Sequence, residues 1–241
     1  MAKFFLVGAG PGRADLLTLR AARVLGQAHV VLYDRLVSAE VLDLVRPGAK
    51  LVYVGKEEGE QSEGQQRIYE LFAAYGKGSR NVVRLKGGDP MVFGRGAEEW
   101  AWLVERGWNV ELVPGISSSL AVPALAGVPV TFRGVASGFA VVTGHAETRW
   151  ADYAQVPTLV ILMGAGRRAE IARALIESGR PASEPACFVE NGTTPRERIV
   201  MSELAQVAAG GVAVRAPAVF VVGEVVRVRE ALQPLLAQAI A

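Results

Sequence analysis

The parts of this sequence able to do chemistry are a glycine loop, a lone aspartate and a block in which cations alternate with apolar residues. Val7-Gly8-Ala9-Gly10-Pro11-Gly12 lies between an apolar run and an amphipathic stretch, and Asp34 closes the next apolar run. In a dinucleotide fold such a loop cradles pyrophosphate with its backbone N–H groups, and the later acid holds a ribose. A nicotinamide-dependent oxidoreductase is therefore one reading. Against it, the spacing is G-x-G-x-G rather than G-x-G-x-x-G, and Pro11 removes one N–H donor from the loop. A strand-to-helix turn that needs glycine only for its backbone angles is another reading, and the loop alone leaves both open.

Composition narrows the partners. The chain has 241 residues, 51% hydrophobic and 21% charged, enough to bury a sizeable core. With 26 Lys and Arg against 24 Asp and Glu, the net charge of +2 supplies no dedicated nucleic-acid or membrane surface. Any anionic partner must be held by a local cluster. One cysteine, Cys187, excludes an internal disulfide, and with two isolated histidines it leaves no metal-ligand cluster, so no metal is expected. The apolar run Phe4 to Val7 is too short for a secretory signal, which makes the cytoplasm the expected compartment. Leu112 to Phe132 is uncharged, but Pro114, Pro123, Pro129 and three serines interrupt it. We read it as a buried inter-domain segment instead of a membrane span.

The elements that must position these residues follow from the apolar pattern. Phe4 to Val7, His29 to Tyr33, Leu51 to Val54, Val82 to Leu85 and Val110 to Val113 read as strands, each but the last followed by a helical pattern. That order predicts an α/β domain over 1–113 with a mostly parallel sheet, because parallel strands need crossovers. A helix is expected from Ser117 to Ala126, then strands at Phe139 to Thr143, Thr158 to Met163, Ala186 to Glu190, Arg198 to Met201 and Ala218 to Val222. Asn191-Gly192 and Pro195 supply turn chemistry between two antiparallel strands, so the second domain, 114–241, is predicted to carry a mixed sheet.

A longer constellation carries a resemblance. The glycine loop with Leu16-Leu17-Thr18 is followed by Tyr33-Asp34-Arg35-Leu36-Val37-Ser38, Gly55-Lys56 and Val83-Arg84-Leu85-Lys86-Gly87-Gly88-Asp89-Pro90. Next come Val92-Phe93-Gly94-Arg95-Gly96-Ala97-Glu98-Glu99, Val113-Pro114-Gly115-Ile116-Ser117 and Gly127-Val128-Pro129-Val130-Thr131. Thr143-Gly144-His145, Glu190-Asn191-Gly192-Thr193 and Val222-Gly223-Glu224-Val225-Val226 complete the series. In order and spacing the chain resembles the uroporphyrinogen-III C-methyltransferases over nearly its whole length, and the Arg84 to Glu99 block is the most specific part.

The resemblance implies two αβα domains with S-adenosylmethionine in a cleft between them, and S-adenosylhomocysteine as product. The reaction it implies places methyl groups on C2 and C7 of uroporphyrinogen III, giving precorrin-2 by way of precorrin-1 on the route to sirohaem and cobalamin. Pro11, Gly87, Gly88, Asp89, Val92, Ser117, Ser118, Met163 and Gly192 fall at the family's cofactor positions, Asp34 at its general base and Lys56 at its proton donor. Lys56 could equally clamp a substrate carboxylate, Asp34 could cap a helix or pair with Arg35, and Met163 and Val92 could simply pack. The substrate carries eight carboxylates, which makes Arg35, Lys56, Arg84, Lys86, Arg95 and Arg133 candidate substrate contacts. Arg167-Arg168 is read as a surface feature and His145 as structural. Members of the family are typically homodimers.

Some positions depart from the family pattern: Arg13-Ala14-Asp15 stands where an acid-proline pair is common, Glu57 follows Lys56, and Tyr69 and Phe132 replace Asn and His. Glu57 weakens a cationic patch and Phe132 removes a titratable group. Three rivals accompany the methyltransferase reading: the oxidoreductase, a non-catalytic tetrapyrrole carrier, and a methyltransferase acting later in the corrin pathway. The Arg84 to Glu99 block argues against the last.

Overall fold

The structure, a computed structural model, describes residues 2–55, 64–145 and 147–238, with the backbone alone for 233–238. The chain divides into two compact units, Met1–Ser117 and Ser118–Ala241. In the first unit β1 (Lys3–Gly8), β2 (Val30–Tyr33), β3 (Lys50–Tyr53), β4 (Asn81–Lys86) and β5 (Asn109–Val113) form one parallel sheet in the order β3-β2-β4-β1-β5. Between them run α1 (Leu19–Leu25), α2 (Ala39–Leu42), α3 (Gly64–Tyr75) and α4 (Gly96–Val104).

The central strands are apolar along their length because both faces are covered. Phe5, Val7, Val31, Val83 and Leu85 pack with Ala21, Val24 and Leu25 of α1 and Val41 of α2. The alternate residues Phe4, Leu6, Val30, Leu32 and Val82 pack with Ile68 and Phe72 of α3 and Leu103 of α4. Thr18 and Ser38 start α1 and α2 by accepting the N–H groups of Ala21 and Val41 on their hydroxyls, satisfying amides that have no intrahelical partner. The connections from β1 and β4 leave these neighbouring strands in opposite directions across the sheet. In open parallel sheets that reversal marks the crevice, outside the carboxyl ends of the strands, where ligands bind.

In the second unit β6 (Phe139–Thr143), β7 (Thr158–Leu162), β8 (Pro185–Glu190), β9 (Arg198–Glu203) and β10 (Ala218–Val222) pair in the order β6-β7-β10-β8-β9. Only β6 and β7 are parallel, so the sheet is mixed as expected. Its helices are α5 (Ser118–Leu125), α6 (Arg168–Glu177), α7 (Leu204–Ala208) and α8 (Val225–Gln238). One face packs with α6 and α7 around Leu159, Ile161, Phe188 and Phe220. The other packs with α5 and α8 around Val160, Cys187, Val189 and Val221.

The uncharged stretch from Leu112 to Phe132, read as a buried segment, is partly buried within this chain. Ser119, Val122, Pro123 and Ala126 lie inward, at the spacing of one helical face, while Leu120, Leu125 and Phe132 are exposed. Among the described residues no helix is long and apolar enough to cross a membrane.

Candidate active site

At the carboxyl end of the parallel sheet three glycines bring three chain segments into contact. A Cβ on Gly8 would sit 2.5 Å from the Gly115 Cα and 2.6 Å from the Gly88 oxygen, and one on Gly115 would sit 2.2 Å from that oxygen. The junction between the ends of β1, β4 and β5 therefore requires residues without side chains. Gly10 and Gly88 exchange backbone hydrogen bonds at 3.2 and 2.7 Å, and the Ala9 N–H donates to the Lys86 carbonyl at 2.7 Å. The amides of Ala9 and Gly10 are thus spent within the protein, and Pro11 has none. With these two amides spent and none on Pro11, the loop lacks donors that a dinucleotide fingerprint turns to pyrophosphate, which argues against the oxidoreductase reading.

Asp89 fixes the same region. Its Oδ1 accepts the Met91 N–H at 2.8 Å and its Oδ2 accepts the Gly115 N–H at 3.0 Å, while the Val92 N–H bonds to its carbonyl at 3.2 Å. Gly87, Gly88 and Asp89 are half-buried, as are Pro11, Val92 and Ser117.

Beside this junction, under the end of β2, lies a set of buried charges. Arg84 Nη2 donates to Asp34 Oδ1 at 2.6 Å, and its Nη1 reaches the carbonyls of Leu32 and Leu85 at 3.4 and 3.3 Å. On its other side Arg84 Nε donates to Glu99 Oε1 at 3.3 Å, and Lys86 Nζ donates to the same oxygen at 2.9 Å. Lys86 Nζ also lies 3.9 Å from Asp34 Oδ2. Arg84, Lys86 and Glu99 are 2%, 5% and 0% exposed, whereas the Asp34 side chain keeps 29% of its surface open. Burial, and after it the Arg84 cation, lower the Lys86 pKa, with Glu99 and Asp34 acting in the opposite direction. Arg84 and Lys86, named among the candidate substrate contacts, lie inside the domain and donate to Asp34 and Glu99.

Arg35, Arg95 and Arg133 are exposed. Arg95 holds a left-handed backbone with φ 57° just before α4 and lies 3.5 Å from Glu98. Lys56 and Glu57 lie outside the described residues. Tyr69 stacks on Trp102 with ring centroids 4.6 Å apart, and Arg13 pairs with Asp15, so both departures from the family pattern are absorbed by local contacts.

In the second unit the positions read from sequence lie at element ends. Ser118 opens α5, Met163 follows β7 and Gly192 follows β8. A Cβ on Gly192 would meet Val122 at 2.5 Å, so glycine lets the turn after β8 lie against α5. Met163, Asn191 and Thr193 all take positive φ, at 59°, 46° and 67°. Strained backbone of this kind collects at ligand sites. Glu190 is held by Arg198 at 2.8 and 2.5 Å and by the Arg215 N–H at 2.7 Å. His145 is exposed. Arg168, read as a surface charge, is half-buried and donates to the Val212 and Ala165 carbonyls, while Arg167 bonds Glu170 and the Gly144 carbonyl. No group of metal-ligating side chains is present among the described residues.

Glu99 is the residue that sequence reading missed. The signal was available: Arg84 and Lys86 alternate with Val83 and Leu85 on a strand whose apolar neighbours mark it as central, and two inward cations there require a buried acid.

A two-unit α/β protein with a glycine junction at the carboxyl end of its parallel sheet and a half-open aspartate at the end of a neighbouring strand is the class that fold and site define. Residues 3–208 match the family model of the Tetrapyrrole (Corrin/Porphyrin) Methylases, and the chain belongs to that family. It is 43% identical over 234 residues to the S-adenosyl-L-methionine-dependent uroporphyrinogen III methyltransferase, chloroplastic, of Arabidopsis thaliana, covering 92% of this chain and 63% of that one. It is 45% identical over 233 residues to siroheme synthase 2 of Aeromonas hydrophila, covering 94% and 50%. The chain therefore spans about half to two thirds of the length of these relatives. Among solved structures, a uroporphyrin-III C-methyl transferase from Thermus thermophilus complexed with S-adenyl homocysteine matches with TM-score 0.84 and 50% identity, over 94% of each chain.

Proposed function

We propose that the chain is an S-adenosylmethionine-dependent uroporphyrinogen-III C-methyltransferase that methylates C2 and C7 and delivers precorrin-2. The observation that carries the reading is the Asp34 carboxylate, partly open at the carboxyl edge of the sheet and held from below by Arg84, beside the glycine junction. The relatives named above and the Arg84 to Glu99 block support the same reading over a later corrin-pathway enzyme.

The residues present fit the methyl donor. Gly87 and Gly88 are half-buried positions without side chains, and Asp89, with one N–H on each oxygen, retains lone pairs for a ligand hydroxyl or ammonium. For Ser118, Met163 and Gly192 the assignment to the same ligand rests on the resemblance alone. Bound S-adenosylmethionine supplies an electrophilic methyl group on a sulfonium that is already a good leaving group, so the protein needs to align and dry the reacting atoms.

Asp34 then acts as general base. When a pyrrole carbon forms its new bond to the methyl group, the C–S bond breaks with its electron pair going to sulfur, and the macrocycle gives up a proton to the carboxylate. Arg84 holds Oδ1, which leaves Oδ2 to accept. Lys56 is assigned proton donation on family position alone. Arg35, Arg95 and Arg133, the exposed members of the candidate cation set, are left to meet substrate carboxylates. Homodimeric assembly, a cytoplasmic setting and supply to cobalamin as well as sirohaem belong to this reading and rest on the resemblance.

The test is an anaerobic assay with uroporphyrinogen III and S-adenosylmethionine, followed by product mass. Addition of two methyl groups, slowed roughly 10²- to 10⁴-fold in a folded Asp34→Asn variant, is expected. Binding of S-adenosylhomocysteine without methylation would redirect the substrate to a later corrin. Raised thermal stability with S-adenosylhomocysteine and none with nicotinamide cofactors is expected in parallel.

A further inference from the structure

The acid beneath the site has a geometry that a structural ion pair does not explain. Glu99 is fully buried, and three donors converge on its Oε1: Lys86 Nζ at 2.9 Å, Arg84 Nε at 3.3 Å and Gln65 Nε2 at 3.3 Å. Among the described residues its buried Oε2 has no hydrogen-bond partner. A carboxylate serving stability alone would gain by turning both oxygens to donors, since an unpaired buried oxygen is costly. Here the carboxylate is turned so that one oxygen bridges the two cations reaching Asp34.

The charges balance, with Asp34 and Glu99 against Arg84 and Lys86. Around Glu99, β4 contributes the two cations, α3 contributes Gln65 and Tyr69, whose phenol is pushed up by burial, and α4 itself carries the exposed Glu98. Arg35, next to Asp34 on its own segment, is exposed. Arg84 therefore spans two carboxylates, and the orientation of its guanidinium at Asp34 depends on what holds its Nε.

We propose that Glu99 is a positioning residue for the methyl transfer. It anchors Arg84 and Lys86 from beneath so that Asp34 keeps Oδ1 hydrogen-bonded to Arg84 and turns Oδ2, with Lys86 at 3.9 Å, to the substrate's proton. This rests on the reading of Asp34 as base. The anchoring itself is a property of the free protein and can be measured without turnover.

The experiment compares wild type, Glu99→Gln and the charge-balanced double variant Lys86→Met/Glu99→Gln. It reads kcat and KM against pH, and the carbon-13 titration of the Asp34 carboxyl, assigned by its disappearance in Asp34→Asn. In Glu99→Gln two cations face one anion, which favours ionised Asp34. Its titration and the acid limb of kcat are expected to move down by about one pH unit. kcat is expected to fall roughly 10- to 100-fold, as for other residues that orient a reacting group, while KM changes little. The double variant is expected to titrate like wild type yet keep a kcat deficit of about tenfold, because the Arg84 anchor is still missing. An unmoved Asp34 titration in folded Glu99→Gln overturns the proposal. If Glu99→Gln does not fold, wild-type kcat in the double variant overturns it instead. Absence of methylation by the wild type would overturn the functional reading but leave the titration result to decide the anchoring.

Discussion

Arg84 is bonded to Asp34 at 2.6 Å through Nη2 and to Glu99 at 3.3 Å through Nε, so one guanidinium joins a half-open carboxylate to a fully buried one. Replacing Arg84 by Met keeps the volume and leaves Glu99 with Lys86 and Gln65 as its donors. Removing one partner from a buried ionic set leaves uncompensated charge, and the expected loss is about 3–5 kcal/mol in urea-induced unfolding. Arg84→Lys keeps the charge but cannot serve both acids with a planar fork, so it should recover part of the stability and little of the methylation rate. Equal recovery of both would show that only the charge matters.

The glycine junction gives a prediction of a different kind. A Cβ on Gly115 would lie 2.2 Å from the Gly88 carbonyl oxygen, and backbone on both sides leaves no flexible side chain to move away. Gly115→Ala is expected to cost about 3 kcal/mol or more, the range of severe overpacking. Gly78 offers a control, because its φ of 82° disfavours alanine while nothing lies within 4 Å of the added Cβ. Gly78→Ala should cost only the backbone term of about 1–2 kcal/mol. The difference between the two variants in chemical denaturation measures the contact itself.

How much of this was legible beforehand differs between backbone and site. Phe139 to Thr143 and Ala218 to Val222 stand in the structure with the bounds the apolar pattern gives, because each is a short apolar run closed at its ends by a change of composition. The mixed character of the second sheet also follows from the turn residues after Glu190. The site was read less completely. Arg84 and Lys86 look like open cations in a list of motifs, and only their alternation with Val83 and Leu85 places them on the inward side of a central strand. Their partner Glu99 stands 13 residues or more away on α4, a separation that no local pattern encodes. In the same way, the spacing of the glycine loop hints that it is no dinucleotide fingerprint, but the destinations of the Ala9 and Gly10 amides show why.

Cys187 provides a probe of global opening. The thiol is fully buried on β8, and burial pushes its pKa up to about 12. It is therefore both inaccessible and protonated at neutral pH, and thiolate reagents need both conditions reversed. Labelling with iodoacetamide at pH 8 is expected to be negligible in the native state and to proceed at the rate set by unfolding as urea is added. Rapid labelling without denaturant would mean that β8 opens locally.

Glu190 carries the pH dependence of the second unit. The carboxylate is buried, and hydrogen bonding from Arg198, then from the Arg215 N–H, holds its pKa below the ordinary glutamate value despite the opposing effect of burial. The sign follows: a carboxylate with a depressed folded pKa stabilises the fold fully above its unfolded pKa, and that contribution is lost as pH falls through the folded value. Stability measured by urea unfolding should therefore fall as pH drops from about 5 toward 3. Glu190→Gln removes the titrating group while keeping its shape. It is expected to lower stability at pH 7 by about 2 kcal/mol, through loss of charge-assisted bonds, and to flatten the acid-side slope. If the variant kept the wild-type slope, the acid sensitivity would lie with other carboxylates, and Glu111, held low by Lys3 and Arg20 in the first unit, would be the next to replace.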